Sequence, residues 1–266
     1  MSHNKTNIYD VEPHIAEVYD QIETSTDDVE LLRSLIGNHN PLRILEPFCG
    51  TGRILIPLAN DGHSLVGLDQ ARGLLDCAHE KITQLSDEVQ RRITLIEADV
   101  TTDEWPKDFD LVILGGNCLY ELATPEEQER CVTCAATSLK SGGHVYLDND
   151  HMEGDLDSSW QQLGVKRQAF PTGRCVDSTL VESYMETIWF DAPQRLVRFR
   201  RLTKVTLPNG NTVEKEYIQQ KHPVSAIEIQ MWLSSHDFIV EQTYGDRLGS
   251  PYEETSQRAI FWAKKR

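Results

Sequence analysis

The stretch from Arg43 to Arg53 constrains the fold more than any other part of this chain. An apolar pair, Ile44 and Leu45, runs into a turn holding Gly50 and Gly52. A second apolar set, Ile54, Leu55, Ile56 and Leu58, then opens at helical spacing. The pattern predicts strand, tight loop, helix. Glycines let the backbone turn sharply and approach a ligand closely, which a Cβ would prevent. Glu46 lies just before the loop. Asp69 closes the next apolar run, Ser64 to Leu68, 19 residues beyond Gly50. A nucleotide-binding βαβ unit places a carboxylate there to accept from ribose hydroxyls.

The loop fits either of two cofactors. A dinucleotide loop reads G-x-G-x-x-G, but here the third position is Leu55 and an acid precedes the turn. A phosphate is repelled by a nearby carboxylate, whereas a sulfonium or an ammonium is attracted. An ordinary glycine turn in another α/β protein is the bland alternative, and Asp69 counts against it.

The rest of the first 150 residues alternates strand and helix. Helical spacing covers Ile15 to Ile36 in two pieces, with Ser25 to Asp28 expected to cap the second. A helix is predicted from Ala71 to Leu85, and strands from Ile93 to Asp99, Phe109 to Leu114 and His144 to Asp148. Thr124, Pro125, Glu126 and Glu127 start a helix that ends at Lys140-Ser141-Gly142-Gly143. Alternation of this kind requires a parallel sheet covered by helices, with ligands at the carboxyl ends of its strands. Glu46, Asp69, Asp99, Gly115 to Asn117 and Asp148 to His151 all fall at predicted strand ends.

Beyond residue 152 come three strand-like runs, Leu180 to Phe190, Arg195 to Leu207 and Thr212 to Lys221, with a hairpin signal at Pro208-Asn209-Gly210. They form an antiparallel meander. Two closing strands, Phe238 to Tyr244 and Arg258 to Ala263, follow.

These motifs resemble class I S-adenosylmethionine-dependent methyltransferases. Their first motif is acid-x-x-x-Gly-x-Gly, here Glu46 to Gly52; Ala98-Asp99-Val100, Phe109 to Val112 and Leu139 to Gly143 match later ones, with Ser141 where proline is common. The resemblance implies a doubly wound, mostly parallel seven-stranded α/β sheet of the Rossmann-like type, with the meander inserted as a lid. It divides the chain into a cofactor-binding core with an N-terminal cover (1–151), a lid (152–222) and a closing segment (223–266). It implies that S-adenosyl-L-methionine is held by Tyr19, Glu46, Cys49, Gly50, Gly52, Arg53, Asp69, Gln70, Asp99, Val100 and Gly115. Asp99 would take the adenine amine and the N–H of Val100 the ring. Tyr9 and Tyr19 lie in a segment similar to the family's cover over the cofactor. The inserted lid is similar to that of small-molecule N-methyltransferases of the glycine, sarcosine and amino-sugar types, which points to an amine acceptor.

Methyl transfer from a sulfonium needs alignment above all. An amine must be neutral to attack, so Asp150 and His151, with Tyr120, are the candidates to position it and accept its proton. Tyr120 and Glu121 are placed to face the substrate; for each of these a solvated turn or helix-entry loop is the plain alternative.

Charge narrows the partners. With 26 Lys and Arg against 42 Asp and Glu, the net charge is −16. Such a surface disfavours nucleic acid, which is bound through Lys and Arg displacing phosphate counterions. The densest basic cluster, Arg195, Arg198, Arg200, Arg201 and Lys204, reads as the solvated face of a strand. No Asn-Pro-Pro-Tyr-like motif follows the fourth strand, which a nucleic-acid amino-methyltransferase would carry. No apolar run approaches the ~20 residues a membrane span needs. A cytoplasmic monomer or homodimer acting on a small molecule is expected. Six scattered cysteines fit reduced thiols, and the Cys131/Cys134 pair, lacking a second pair, implies no metal. A module on the same fold that binds a nucleoside or a protein without catalysis is the alternative, as is a methyltransferase acting on a macromolecule.

Overall fold

The computed structural model describes residues 13–38, 41–153 and 158–266; Tyr9 lies outside them. The chain opens with α1 (Pro13–Ile22) and α2 (Asp27–Ile36). Then come β1 (Arg43–Pro47), α3 (Leu55–Asn60), β2 (Ser64–Asp69), α4 (Arg72–Thr83), α5 (Asp87–Gln90), β3 (Ile93–Glu97) and β4 (Phe109–Leu114). A 3₁₀ turn (Cys118–Glu121), α6 (Pro125–Ser138) and β5 (Leu139–Asp150) follow. After α7 (Ser158–Gln161) four strands run in succession: β6 (Arg167–Arg174), β7 (Leu180–Asp191), β8 (Leu196–Thr206) and β9 (Thr212–Lys221). The chain closes with α8 (Ala226–Ser235), β10 (Phe238–Tyr244) and β11 (Arg258–Lys265).

Seven strands form one sheet in the order β10-β11-β5-β4-β1-β2-β3. β3, β2, β1, β4 and β5 are mutually parallel, and β11 and β10 run antiparallel to their neighbours. The strand order reverses between β1 and β4, the place where such sheets bind ligands. The central strands β1, β4 and β5 carry buried apolar residues on both faces, as buried parallel strands do. Leu45, Val112, Leu114, Val145 and Leu147 pack with α6 and α8 through Val132, Ala135, Ile229 and Leu233. Their neighbours Ile44, Leu111, Ile113 and Tyr146 pack with α2 and α3 through Leu32, Ile36, Leu55 and Leu58. The period-2 alternation of strand side chains sends each set to its own core.

β6 to β9 make a separate antiparallel sheet in sequence order. It has four strands, not the expected three. β6 carries Pro171 and Gly173, residues that read as strand breakers, and its ladder slips register on both sides of Phe170. Proline is tolerated there because β6 is an edge strand. Other boundaries also differ. α4 stops at Thr83, and β3 stops at Glu97, leaving Asp99 in the loop beyond it. β5 starts at Leu139, with Leu139 pairing Phe109 and His144 pairing Leu111, so the glycine turn is an excursion within the strand. Thr26 precedes α2 without a side-chain capping bond. Thr124 does cap α6, accepting from the Glu127 N–H at 3.3 Å.

α1 joins the two sheets. Val18, with Ile15 and Ile22, packs against Cys175, Val181 and Val205 of the second sheet. Ala16 and Tyr19 pack against Ala71 and Leu74 at the start of α4.

Candidate functional site

The loop after β1 is held in the left-handed region at Phe48 (φ 62°), Gly50 (φ 51°) and Gly52 (φ 78°). Asp69 closes it from the end of β2. One carboxylate oxygen accepts the Gly50 N–H at 2.9 Å and the other the Ala71 N–H at 2.8 Å. Burial pushes the Asp69 carboxyl up, and these N–H groups, with that of Gln70, oppose the shift. Gly67, inside β2, also matters: a Cβ there would meet Cys49 Sγ and Leu55 Cδ1 at 2.7 Å. Cys49 and Leu55 thus pack directly on the bare Cα of Gly67, and the close contact requires glycine there.

Glu46 is 4% exposed, and its Oε2 has no hydrogen-bond partner. Burial drives its carboxyl well above the usual range; Arg53 opposes this, while Asp28 and Asp69 add to it. A buried acceptor without a donor at the foot of a ligand loop fits a cationic group of S-adenosylmethionine. Arg53 itself turns away to α2, pairing with Asp28 at 2.6 Å and with the Ser25 carbonyl at 2.5 Å. Its role here is to pin the loop.

Asp99 accepts from the Thr101 N–H at 2.8 Å and from its hydroxyl at 2.6 Å. Val100 is buried beside it. On the β4 side, a Cβ on Gly115 would stand 2.8 Å from Ile54 Cδ1, so the backbone passes close to the glycine loop. Tyr19 of α1 completes the ring, stacked on Phe170 of β6 at 5.8 Å.

A cavity of about 1370 Å³ opens between these elements. Tyr19, Glu46, Cys49, Gly50, Arg53, Asp69, Gln70, Asp99, Val100 and Gly115 all line it; of the sequence-derived cofactor set only Gly52 stands behind the wall. Single small-ligand pockets run to roughly 1,000 Å³, so the space suits a cofactor and an acceptor together. The residues present fit the cofactor.

The second half of the cavity is walled by β7 to β9, through Ile188, Trp189, Leu196, Arg198 and Glu216 to Gln220, and by Glu121 to Thr124 after β4. Glu121 Oε1 pairs with Lys221 Nζ at 2.8 Å, and Gln219 Nε2 donates to its Oε2 at 3.2 Å. Burial alone would raise the Glu121 carboxyl; Lys221, Arg201 and Gln219 outweigh it and hold it low. Tyr120 lies behind this pair. Lys221 Nζ sits 3.9 Å over its ring, which also stacks with Trp160 at 5.6 Å.

The other two candidate catalytic residues are elsewhere. Asp150 binds Arg258 Nη1 at 2.5 Å and accepts from Asn117 Nδ2 at 2.8 Å. His151 Nδ1 lies 3.1 Å from the Tyr252 hydroxyl. Neither Asp150, His151 nor Tyr120 lines the cavity. The strand-end run instead meets β11: β11 pairs alongside β5 as far as Asp150, and its Arg258 pairs with the Asp150 carboxylate.

The basic cluster is also more than a solvated face. Arg200 is exposed, but Arg201 is 9% exposed, Arg198 lines the cavity and Arg195 donates to the carbonyls of Met152 and Pro223. Lys221, Gln219 and Trp189 carry no signal in the sequence that marks them, and Arg198 reads there only as part of a solvated strand face. Alternation in β7 to β9 shows which residues share a face, but not which face meets the cavity. Among the described residues no cluster of three or more His, Cys, Asp or Glu could hold a metal ion, and no helix is long and apolar enough to cross a membrane.

Comparison with known proteins gives a matching account. Residues 44–143 match a family model described as a methyltransferase domain. The chain is 24% identical over 250 residues to a cypemycin N-terminal methyltransferase of a Streptomyces species, covering 92% of this chain and 93% of that one. Its fold is similar to the CcbJ methyltransferase of Streptomyces caelestis, with TM-score 0.71, 17% identity and 99% of both chains covered. It is also similar to S-adenosylmethionine-bound CalS10 of Micromonospora echinaspora, an amino pentose methyltransferase. There the TM-score is 0.61 at 17% identity, with 93% and 94% of the chains covered.

Proposed function

We infer that this S-adenosylmethionine-dependent methyltransferase transfers its methyl group to an amine nitrogen of a small molecule. The observation that carries the reading is the charge of the cavity wall. Glu46, Asp69, Asp99, Glu121, Glu127, Asp191 and Glu216 line it, against Arg53 and Arg198. Glu121 and Glu216 are paired with Lys221 and Arg200, and burial favours the neutral form of Glu46. Asp69, Asp99, Glu127 and Asp191 still give the wall an excess of carboxylates, which suits cationic ligands, both the cofactor and an amine acceptor. The names of two similar proteins, a cypemycin N-terminal methyltransferase and an amino pentose methyltransferase, are in keeping with this reading.

When bound, S-adenosylmethionine supplies an already activated methyl group. The protein's part is alignment, which contributes on the order of 7–11 kcal/mol. Asp69 and the glycine loop orient the nucleoside, Glu46 meets a cationic group, and residues 152–222 act as the lid that excludes water. Glu121, which lines the cavity where His151 does not, is assigned to orient the acceptor amine. Held ionised by Lys221, it acts as an electrostatic anchor and not as a strong base.

The test is incubation of metabolite pools with methyl-labelled cofactor, followed by NMR assignment of the product. An N-methyl product supports the reading. An O-, S- or C-methyl product overturns the nitrogen assignment, and labelling of a protein or RNA overturns the small-molecule assignment.

A further inference from the structure

Two arginines line the cavity, and their surroundings differ. Arg53 is neutralised by buried Asp28. For Arg198, among the described residues, no carboxylate lies within ion-pairing distance. Its neighbour Arg200, on the same strand, has Glu186 and Glu216. In a chain with 42 acids, a cavity arginine without one stands apart.

Arg198 is nonetheless held firmly. Three strands bring Trp189, Arg198 and Gln220 into register. The guanidinium lies over the Trp189 ring at 4.5 Å, and its Nε donates to Gln220 Oε1 at 2.9 Å. Gln220 in turn donates to the Ala123 carbonyl at 3.0 Å, tying the arrangement to the loop after β4. The stacking sets the plane of the fork, and Nε is occupied. Nη1 and Nη2 have no partner among the described residues. A planar, pre-oriented pair of cationic N–H donors matches two oxygens of one anion.

We propose that Arg198 receives an anionic oxygen group, a carboxylate or a phosphate, carried by the methyl acceptor. This rests on, and deepens, the reading of the acceptor as a small-molecule amine. The acceptor then has two charged ends: a nitrogen at the cofactor side near Glu121 and an anion at the β7–β9 wall. Arg198 thereby selects amino acids or phosphorylated amines over simple amines.

The test uses the full chain saturated with S-adenosylhomocysteine, titrated calorimetrically with sodium acetate, inorganic phosphate and pyrophosphate. Wild type is expected to bind at least one of them. Arg198→Met should weaken that binding by about tenfold or more, as loss of a charge-assisted bond would. Arg198→Lys, which keeps the charge but not the fork, should recover part of it, and Arg200→Met should leave it unchanged. Preference for acetate or for the phosphates identifies the anion. Equal binding by wild type and Arg198→Met, or no binding of any probe by wild type, overturns the proposal. A product methylated on oxygen, together with Arg198-dependent anion binding, would sink the nitrogen reading and leave this one standing.

Discussion

The carboxylate of Asp69, at the end of β2, accepts the backbone N–H of Gly50 at 2.9 Å in the loop after β1. The acid assigned to the ribose is therefore also part of the scaffold of the glycine loop. Asp69→Ala should weaken cofactor binding by ~1–3 kcal/mol, as loss of a charge-assisted hydrogen bond would. It should also lower the melting temperature of the ligand-free protein, because the Gly50 and Ala71 N–H groups lose their acceptor. Unchanged affinity in calorimetry would remove Asp69 from the cofactor site.

Glu46 should tie stability to pH in the ligand-free protein. Its folded-state pKa is raised by burial, so its stabilising contribution is complete below the unfolded value and is lost as pH rises through the folded one. Wild type should thus gain on Glu46→Gln as pH falls from about 8 toward about 5, the unfolded reference being ~4.3. Thermal melts of both proteins across that range measure the difference. A constant gap would mean that Glu46 is not a buried titrating acid. The same variant should bind S-adenosylmethionine more weakly.

Glu121 and His151 separate in their effects. His151→Ala should leave turnover close to that of wild type, because His151 does not line the cavity. Glu121→Gln leaves Lys221, 2% exposed, without its counter-charge, and should cost on the order of 3–5 kcal/mol of stability. Glu121→Gln with Lys221→Met should regain much of that stability yet stay poor in KM for the acceptor. A large fall in kcat for His151→Ala would restore the strand-end run as catalytic.

α1 meets the lid at Val18 and Gly173, where an added Cβ would lie 2.2 Å from Val18 Cγ1. Valine is stiff at χ1, so Gly173→Ala should destabilise by ~1–3 kcal/mol through overpacking. Adding Val18→Ala should recover most of the loss, as read from denaturant melts. Failure of that rescue would show that α1 and β6 are not packed as described.

Much of this protein is written in local pattern. β4 spans Phe109–Leu114, as its apolar run indicates, and the glycine loop, Asp69 and the helix started by Thr124 stand where spacing puts them. Each is a short-range matter of period, φ or capping, readable from neighbours in the chain. β6 escaped because Pro171 and Gly173 obey edge-strand rules that apply only once a partner strand is known.

The half of the cavity walled by β7 to β9 was decided by packing alone. Glu121 meets Lys221 across 100 residues, Asn117 holds Asp150 across 33, and Arg258 reaches Asp150 across 108. A carboxylate at or just past a strand end has the same local signature whether it lines a cavity, as Asp99 does, or pairs with an arginine, as Asp150 does. Periodicity sets which side of a strand a residue occupies, but only the docking of distant strands sets what stands opposite. The second sheet thus turned Arg198 and Glu121 to the cavity, while β11 drew Asp150 away from it.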